Sequence, residues 1–167
     1  LVRHIRDRGA MRGGIFSLQT PEAQARERVA AEPSMDGADF ARTVTPPEAV
    51  RFDGDGPHVV GIDTGVKLSI VRQLRERGCK LTLLPCTSTP EEVLAEDPDV
   101  VFLANGPGDP AALGYVVDTV RELIGKRPVF GICLGHQLLC RAVGLETYKL
   151  PFGHRGTNHP VKDLETG

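Results

Sequence analysis

Cys133 stands between two glycines in the run Gly131-Ile132-Cys133-Leu134-Gly135-His136-Gln137. That spacing is the grammar of a nucleophile elbow. A short apolar segment, Pro128 to Ile132, leads into the cysteine, and a helical pattern from Gly135 to Val143 leaves it. A sharp strand-to-helix turn exposes a nucleophile, and glycines two positions to either side let neighbouring backbone come close. A sulfur at the start of a helix also meets unpaired amides and the positive end of the helix dipole, which favour a thiolate. The plainer reading is a small buried hydrophobe, as most free cysteines are. The flanking glycines, the helix start and the position at a strand's carboxyl end weigh against it.

Asn105-Gly106-Pro107-Gly108-Asp109-Pro110 is the second element with chemical meaning. Two glycines and two prolines in six residues fix a rigid turn whose amides can point into a cleft. Beside a cysteine nucleophile, one such amide would be half of an oxyanion hole, with the amide of Leu134 as the other half. Read alone, the loop is an ordinary strand-to-helix turn with Asp109 capping the helix after it. Asp63-x-Gly65-x-Lys67 could likewise place a charge in the cleft, or simply cap and face solvent.

A cysteine nucleophile needs a base. His136 sits three residues after Cys133, where a helix-borne neighbour more often bonds locally than accepts the thiol proton. His154 and His159 form a second group, but their spacing with any cysteine matches no standard zinc pattern, so no metal is expected. No histidine is followed two residues later by a carboxylate, an arrangement that would orient an imidazole. Cys79, Cys86 and Cys140 lack the context of Cys133 and read as structural.

The elements that must position these groups follow from hydrophobic patterning. Strands are expected at Val59–Ile62, Leu81–Leu84, Val100–Leu103 and Val129–Ile132, with helices over Val66–Arg77, Pro90–Ala95 and Leu113–Ile124 between them. Gly78 closes the first of these helices. Strands that are apolar throughout and alternate with helices predict an α/β fold with a mostly parallel sheet flanked by helices. Sites in such sheets lie beyond the carboxyl ends of the strands, where the Asp63, Asn105 and Cys133 turns all fall. Residues 1–57 differ. A basic helical turn at Val2–Arg8, a short strand at Met11–Ser17 and a helix over Pro21–Ala31 precede a proline- and glycine-rich stretch, Pro33–Pro57, that reads as a linker.

Bulk properties narrow the classes further. The 167 residues are 40% hydrophobic and 25% charged, enough for a packed core and against wholesale disorder. A net charge of -2 gives no sign of a nucleic-acid or membrane-surface partner. No apolar run approaches the roughly 18 residues that cross a bilayer. Four cysteines without paired spacing and without a preceding leader point to a reduced, cytoplasmic setting. Residue 1 is Leu, and both ends of the sequence read as cut from something longer.

Taken together, Gly131–Gln137, Asn105–Pro110, Asp63-x-Gly65-x-Lys67 and Phe152-Gly-His-Arg-Gly-Thr-Asn-His-Pro-Val161 resemble the class I, triad-type glutamine amidotransferases. The last motif resembles the branch that forms the small subunit of carbamoyl-phosphate synthetases. The resemblance implies a flavodoxin-like amidotransferase domain at residues 58–167, truncated at its C-terminus. It implies that residues 1–57 are the end of a small N-terminal domain plus a linker. Cys133 would attack the side-chain amide of L-glutamine, with backbone amides of Leu134 and Gly108 meeting the oxyanion and Gly106 and Gln137 holding the substrate. The implied partner is the large synthetase subunit, where ATP and Mg are expected; no cofactor is expected in this chain. Thr64, Ser69 and Thr157 stand where other residues are common in the family and read as tolerated variation. The family's His-x-Glu motif is not in this sequence, so little glutaminase activity is expected of these residues alone. The other readings are an amidotransferase serving a different acceptor and a binding domain that kept the fold without the chemistry.

Overall fold

Alternating apolar residues give the sheet two faces, and in a computed structural model of the chain each face carries its own core. The structure describes residues 2–9, 11–150 and 163–166. They divide into a unit spanning Ser34–Thr147 and a second drawn from the described residues of Leu1–Pro33 and Tyr148–Gly167.

The smaller unit contains α1 (Val2–Arg8) and α2 (Glu22–Ala31), the latter with Pro21 in the position before its first turn. The strand expected at Met11–Ser17 is not formed. With Gly13 and Gly14 at its centre it presents few side chains to a sheet, and it lies instead as irregular chain along α2. Arg12 Nη1 donates to the carbonyls of Ala30 (3.0 Å) and Glu32 (2.6 Å), which the end of α2 leaves unpaired. The Arg28 guanidinium covers the Phe16 ring.

In the larger unit the order is α3 (Ala41–Val44), β1 (Val50–Phe52), β2 (His58–Asp63), α4 (Leu68–Glu76), β3 (Lys80–Pro85), α5 (Pro90–Ala95), β4 (Val100–Leu103), a 3₁₀ turn (Pro110–Ala112), α6 (Gly114–Leu123), β5 (Val129–Gly131) and α7 (Leu134–Ala142). The sheet order is β1-β3-β2-β4-β5. β2 through β5 are parallel, as the unbroken apolar runs predict, and β1 is antiparallel to β3. β1 corrects the linker reading of residues 33–57. Val50, Arg51 and Phe52 pair with Leu83, Thr82 and Leu81, and the Gly54–Pro57 turn then returns the chain into β2, with the Gly56 amide donating to the Gly78 carbonyl at 2.8 Å.

Side chains alternate strictly across the sheet. Val60, Ile62, Leu84, Val101 and Leu103 face one core, closed by Val93 of α5, Val116 and Val120 of α6, and Leu134 and Leu138 of α7. Val59, Leu81, Leu83 and Phe102 face the other, against Val71, Ile70 and Leu74 of α4. Ile70, Val71 and Leu74 are the apolar face expected from spacing, and α4 ends as expected at Gly78, whose φ is +80°. The connection from β2 goes to β3 on one side and that from β4 goes to β5 on the other. The order therefore reverses between β2 and β4, the place in open sheets of this kind where ligands bind.

Candidate active site

Three turns leave the carboxyl ends of neighbouring strands: Asp63–Lys67 after β2, Ala104–Asp109 after β4, and Cys133 after β5. The first two are fastened together by side chains. Asp63 Oδ1 accepts from the amides of Gly65 (2.8 Å) and Val66 (2.7 Å), so it caps its own turn. Asn105 crosses to the same turn. Its Oδ1 accepts from the Lys67 amide at 3.0 Å and its Nδ2 donates to the Gly65 carbonyl at 3.2 Å. Thr64 Oγ1 returns the tie, donating to the carbonyls of Ala104 and Asn105 at 3.0 and 3.2 Å. Gly106 passes so close to the Thr64 carbonyl that a Cβ there would overlap it.

The elbow is built by steric exclusion. Cys133 has φ 55° and ψ −111°, a left-handed conformation that a side-chain-bearing residue seldom adopts and that costs about 1–3 kcal/mol unless its surroundings impose it. They do so through both glycines. A Cβ on Gly131 would collide with the backbone of Gly135 and His136, and one on Gly135 with the Leu103 carbonyl. Ile132 donates to the Leu103 carbonyl at 3.1 Å, Gly135 to Ile132 at 3.0 Å and Gln137 to Cys133 at 3.1 Å. Leu134 and Leu138, 2% and 0% exposed, seat α7 in the core. The turn thus holds Cys133 exposed while the residue after it is buried. Leu134 is the first residue of α7, and amides of a first helical turn have no acceptor within the helix.

The site residues expected from sequence occupy these turns. Gly106 and Gly108 are half-buried in the loop after β4, Leu134 and Gln137 lie in the first turn of α7, and the pairing of Leu103 with Gly131 sets the two turns on adjacent parallel strands. His136 bonds locally, with Nε2 3.7 Å from Cys140 Sγ one turn along α7. Cys140 is half-exposed and so differs from Cys86, which is buried with Sγ 3.4 Å from the Tyr115 hydroxyl. Asp109 caps the next element, Oδ1 accepting from Ala111 at 2.9 Å, although that element is a 3₁₀ turn and not α6 itself. His154, His159 and the Phe152–Val161 motif lie outside the described residues. Among the described residues no group of three or more His, Cys, Asp or Glu side chains is arranged to hold a metal. No helix among them is long and apolar enough to cross a membrane.

Sequence reasoning missed the segment Gly37–Thr45. It runs along the same carboxyl edge and touches the turns after β2, β3 and β4, yet nothing in its composition marks it.

Residues 60–167 match the profile of the family described as glutamine amidotransferase class-I. The carbamoyl phosphate synthase small chain of Chlorobaculum tepidum is 51% identical over 171 residues, covering 98% of this chain and 46% of that protein. Proteins of the same name from Akkermansia muciniphila and Rhodopirellula baltica are 46% and 43% identical over the whole of this chain, covering 48% and 49% of theirs. The chain spans about half the length of these relatives.

Proposed function

Because the chain belongs to the class-I glutamine amidotransferase family, we propose that it hydrolyses glutamine as a small chain of carbamoyl phosphate synthase and delivers the ammonia to a large synthetase chain. Cys133 Sγ forms a C–S bond to the side-chain amide carbon of glutamine as its proton passes to a base. The oxyanion is met by the amides of Leu134 and Gly108, each donor of this kind contributing about 3–4 kcal/mol when well aimed. Gly106 and Gln137 hold the substrate. Collapse breaks the C–N bond, and ammonia leaves with the proton returned by the base. Water then attacks the glutamyl thioester, releasing glutamate and restoring the thiol. Within residues 1–167 no histidine precedes a carboxylate by two positions, and a His-x-Glu base of the family's kind acts from elsewhere. ATP and Mg belong to the large chain, and the setting is the cytoplasm.

The observation that carries this reading is Cys133 held exposed at φ 55° between two glycines that have no room for a side chain. A glutamine-mimicking chloroketone tests it. Preferential alkylation of Cys133 over Cys79, Cys86 and Cys140 is expected, and equal labelling of all four would sink the proposal. Residues 1–167 alone are expected to release ammonia from glutamine far more slowly than a longer polypeptide that includes a His-x-Glu pair.

A further inference from the structure

The segment Gly37–Thr45 is fixed at both ends and in its middle, and each fixing point is a turn of the candidate site or the helix behind it. At its start it meets the loop after β4 through a reciprocal pair: Gly37 donates its amide to Asp109 Oδ2 at 2.9 Å, and Asp109 donates its own to the Ala38 carbonyl at 3.2 Å. Gly108 lies beneath that pair at φ +105°, where a Cβ would sit 2.9 Å from the Ala38 oxygen and 3.3 Å from the Phe40 nitrogen. In the middle, Tyr115 of α6 donates its hydroxyl to Asp39 Oδ2 at 3.1 Å. Arg42 donates to the same oxygen at 3.1 Å and lays its guanidinium 4.3 Å above the Tyr115 ring. Ala41 is fully buried. At the end, Thr45 Oγ1 donates to the Asp63 carbonyl at 2.7 Å and accepts from the Cys86 amide at 2.8 Å. The Val44 side chain packs beside Gly65.

The two prolines stiffen the corners of the loop, while Gly108, with no side chain, leaves the peptide units on either side of it the widest choice of rotation. That rotation decides where the Gly108 amide points. Asp109, next in the chain, couples it to the neighbouring segment, since its amide and one carboxylate oxygen hold residues 37 and 38 while the other oxygen starts the 3₁₀ turn.

We propose that Asp109 is a positioning residue for the oxyanion-binding amides, acting through residues 37–45 as a brace across the carboxyl edge of the sheet. This rests on the reading of Cys133 as the glutamine-attacking nucleophile.

Two alkylating agents test this on the whole chain. A glutamine-mimicking chloroketone passes through a tetrahedral adduct that needs the oxyanion donors, whereas iodoacetamide needs only an accessible sulfur. Asp109→Ala is expected to lower the chloroketone rate at Cys133 by about tenfold or more, as sub-ångström misplacement of catalytic groups does, with the iodoacetamide rate unchanged. Asp109→Asn, which keeps an acceptor for Gly37, recovers part of the loss. Tyr115→Phe, which loosens the brace far from the loop, moves the ratio of the two rates in the same direction and stands in for Asp109→Ala if that variant does not fold. An unchanged ratio in these variants, or equal loss of both rates, overturns the positioning role. If the unsubstituted chain shows no preference of the chloroketone for Cys133, the proposed function itself fails and the brace falls with it.

Discussion

Gly135 lies against the carbonyl of Leu103, so closely that a Cβ on Gly135 would overlap the carbonyl carbon and oxygen. Both partners are backbone, one in α7 and one at the end of β4, and no rotamer change relieves the overlap. Gly135→Ala must therefore move the helix or the strand, and it moves Cys133 with it. Overpacking of this kind costs about 1–3 kcal/mol. The expected outcome is a lower urea midpoint together with loss of selective alkylation at Cys133. Selective alkylation retained at full rate would show that the elbow tolerates a displaced helix.

Asn105 is the bridge between the two turns at the strand-order reversal, with one bond from the Lys67 amide and one to the Gly65 carbonyl. Asn105→Ala removes both, at about 1 kcal/mol each, so roughly 1–3 kcal/mol of stability should disappear on denaturation. Asn105→Asp keeps the acceptor for Lys67 and loses the donor to Gly65, and about half the effect is expected. Equal losses for the two variants would mean that the acceptor bond contributes nothing.

How much of this was legible in the sequence depends on how far apart the interacting residues lie. β2 and β4 are buried on both faces and announce themselves as continuous apolar runs, and Gly131, Cys133 and Gly135 signal their turn within five residues. The two glycines could be read as close approaches, although only the structure identifies the obstacles as Gly135 and Leu103. β1 was hidden because three residues inside a proline- and glycine-rich stretch carry no period, and their strand character comes from Leu81–Leu83 of a different segment. The strand expected at Met11–Ser17 did not form because Gly13 and Gly14 at its centre leave few side chains to hold it in a sheet. The pairing of Gly37 with Asp109 spans 72 positions, and no local pattern encodes it.

Tyr115 offers a test of the brace in pH. Burial, then the neighbouring Cys86 thiol and the Asp39 carboxylate, push its phenol well above the ordinary value of 10.0. A group that keeps its proton longer in the folded state than in the unfolded one stabilises the fold fully below the unfolded pKa. That contribution is lost as pH rises above it. Stability should accordingly fall as pH climbs past about 10, and Tyr115→Phe should flatten that part of the profile. Its phenolate absorbance should also emerge late in an alkaline titration, and the Phe variant should lack that component. A phenol at position 115 that ionises at the ordinary pH would mean that the ring is not packed against Cys86 and Asp39 as described.

The start of α5 separates stability from the site. Thr89 Oγ1 accepts from the Glu92 amide at 3.3 Å while a Glu92 carboxylate oxygen accepts from the Thr89 amide at 2.8 Å, a reciprocal capping box with Pro90 in the first turn. Thr89→Ala leaves one amide of the first turn unpaired and should cost about 1 kcal/mol. α5 covers the core through Val93 and Leu94 and packs against α6, while the residues of the three turns around Cys133 take their hydrogen bonds from other segments. The denaturation midpoint should therefore shift while the ratio of chloroketone to iodoacetamide labelling at Cys133 stays constant. If that ratio falls in Thr89→Ala as it does in Asp109→Ala, the labelling reports global stability, and the specific link from Asp109 to Gly108 loses its support.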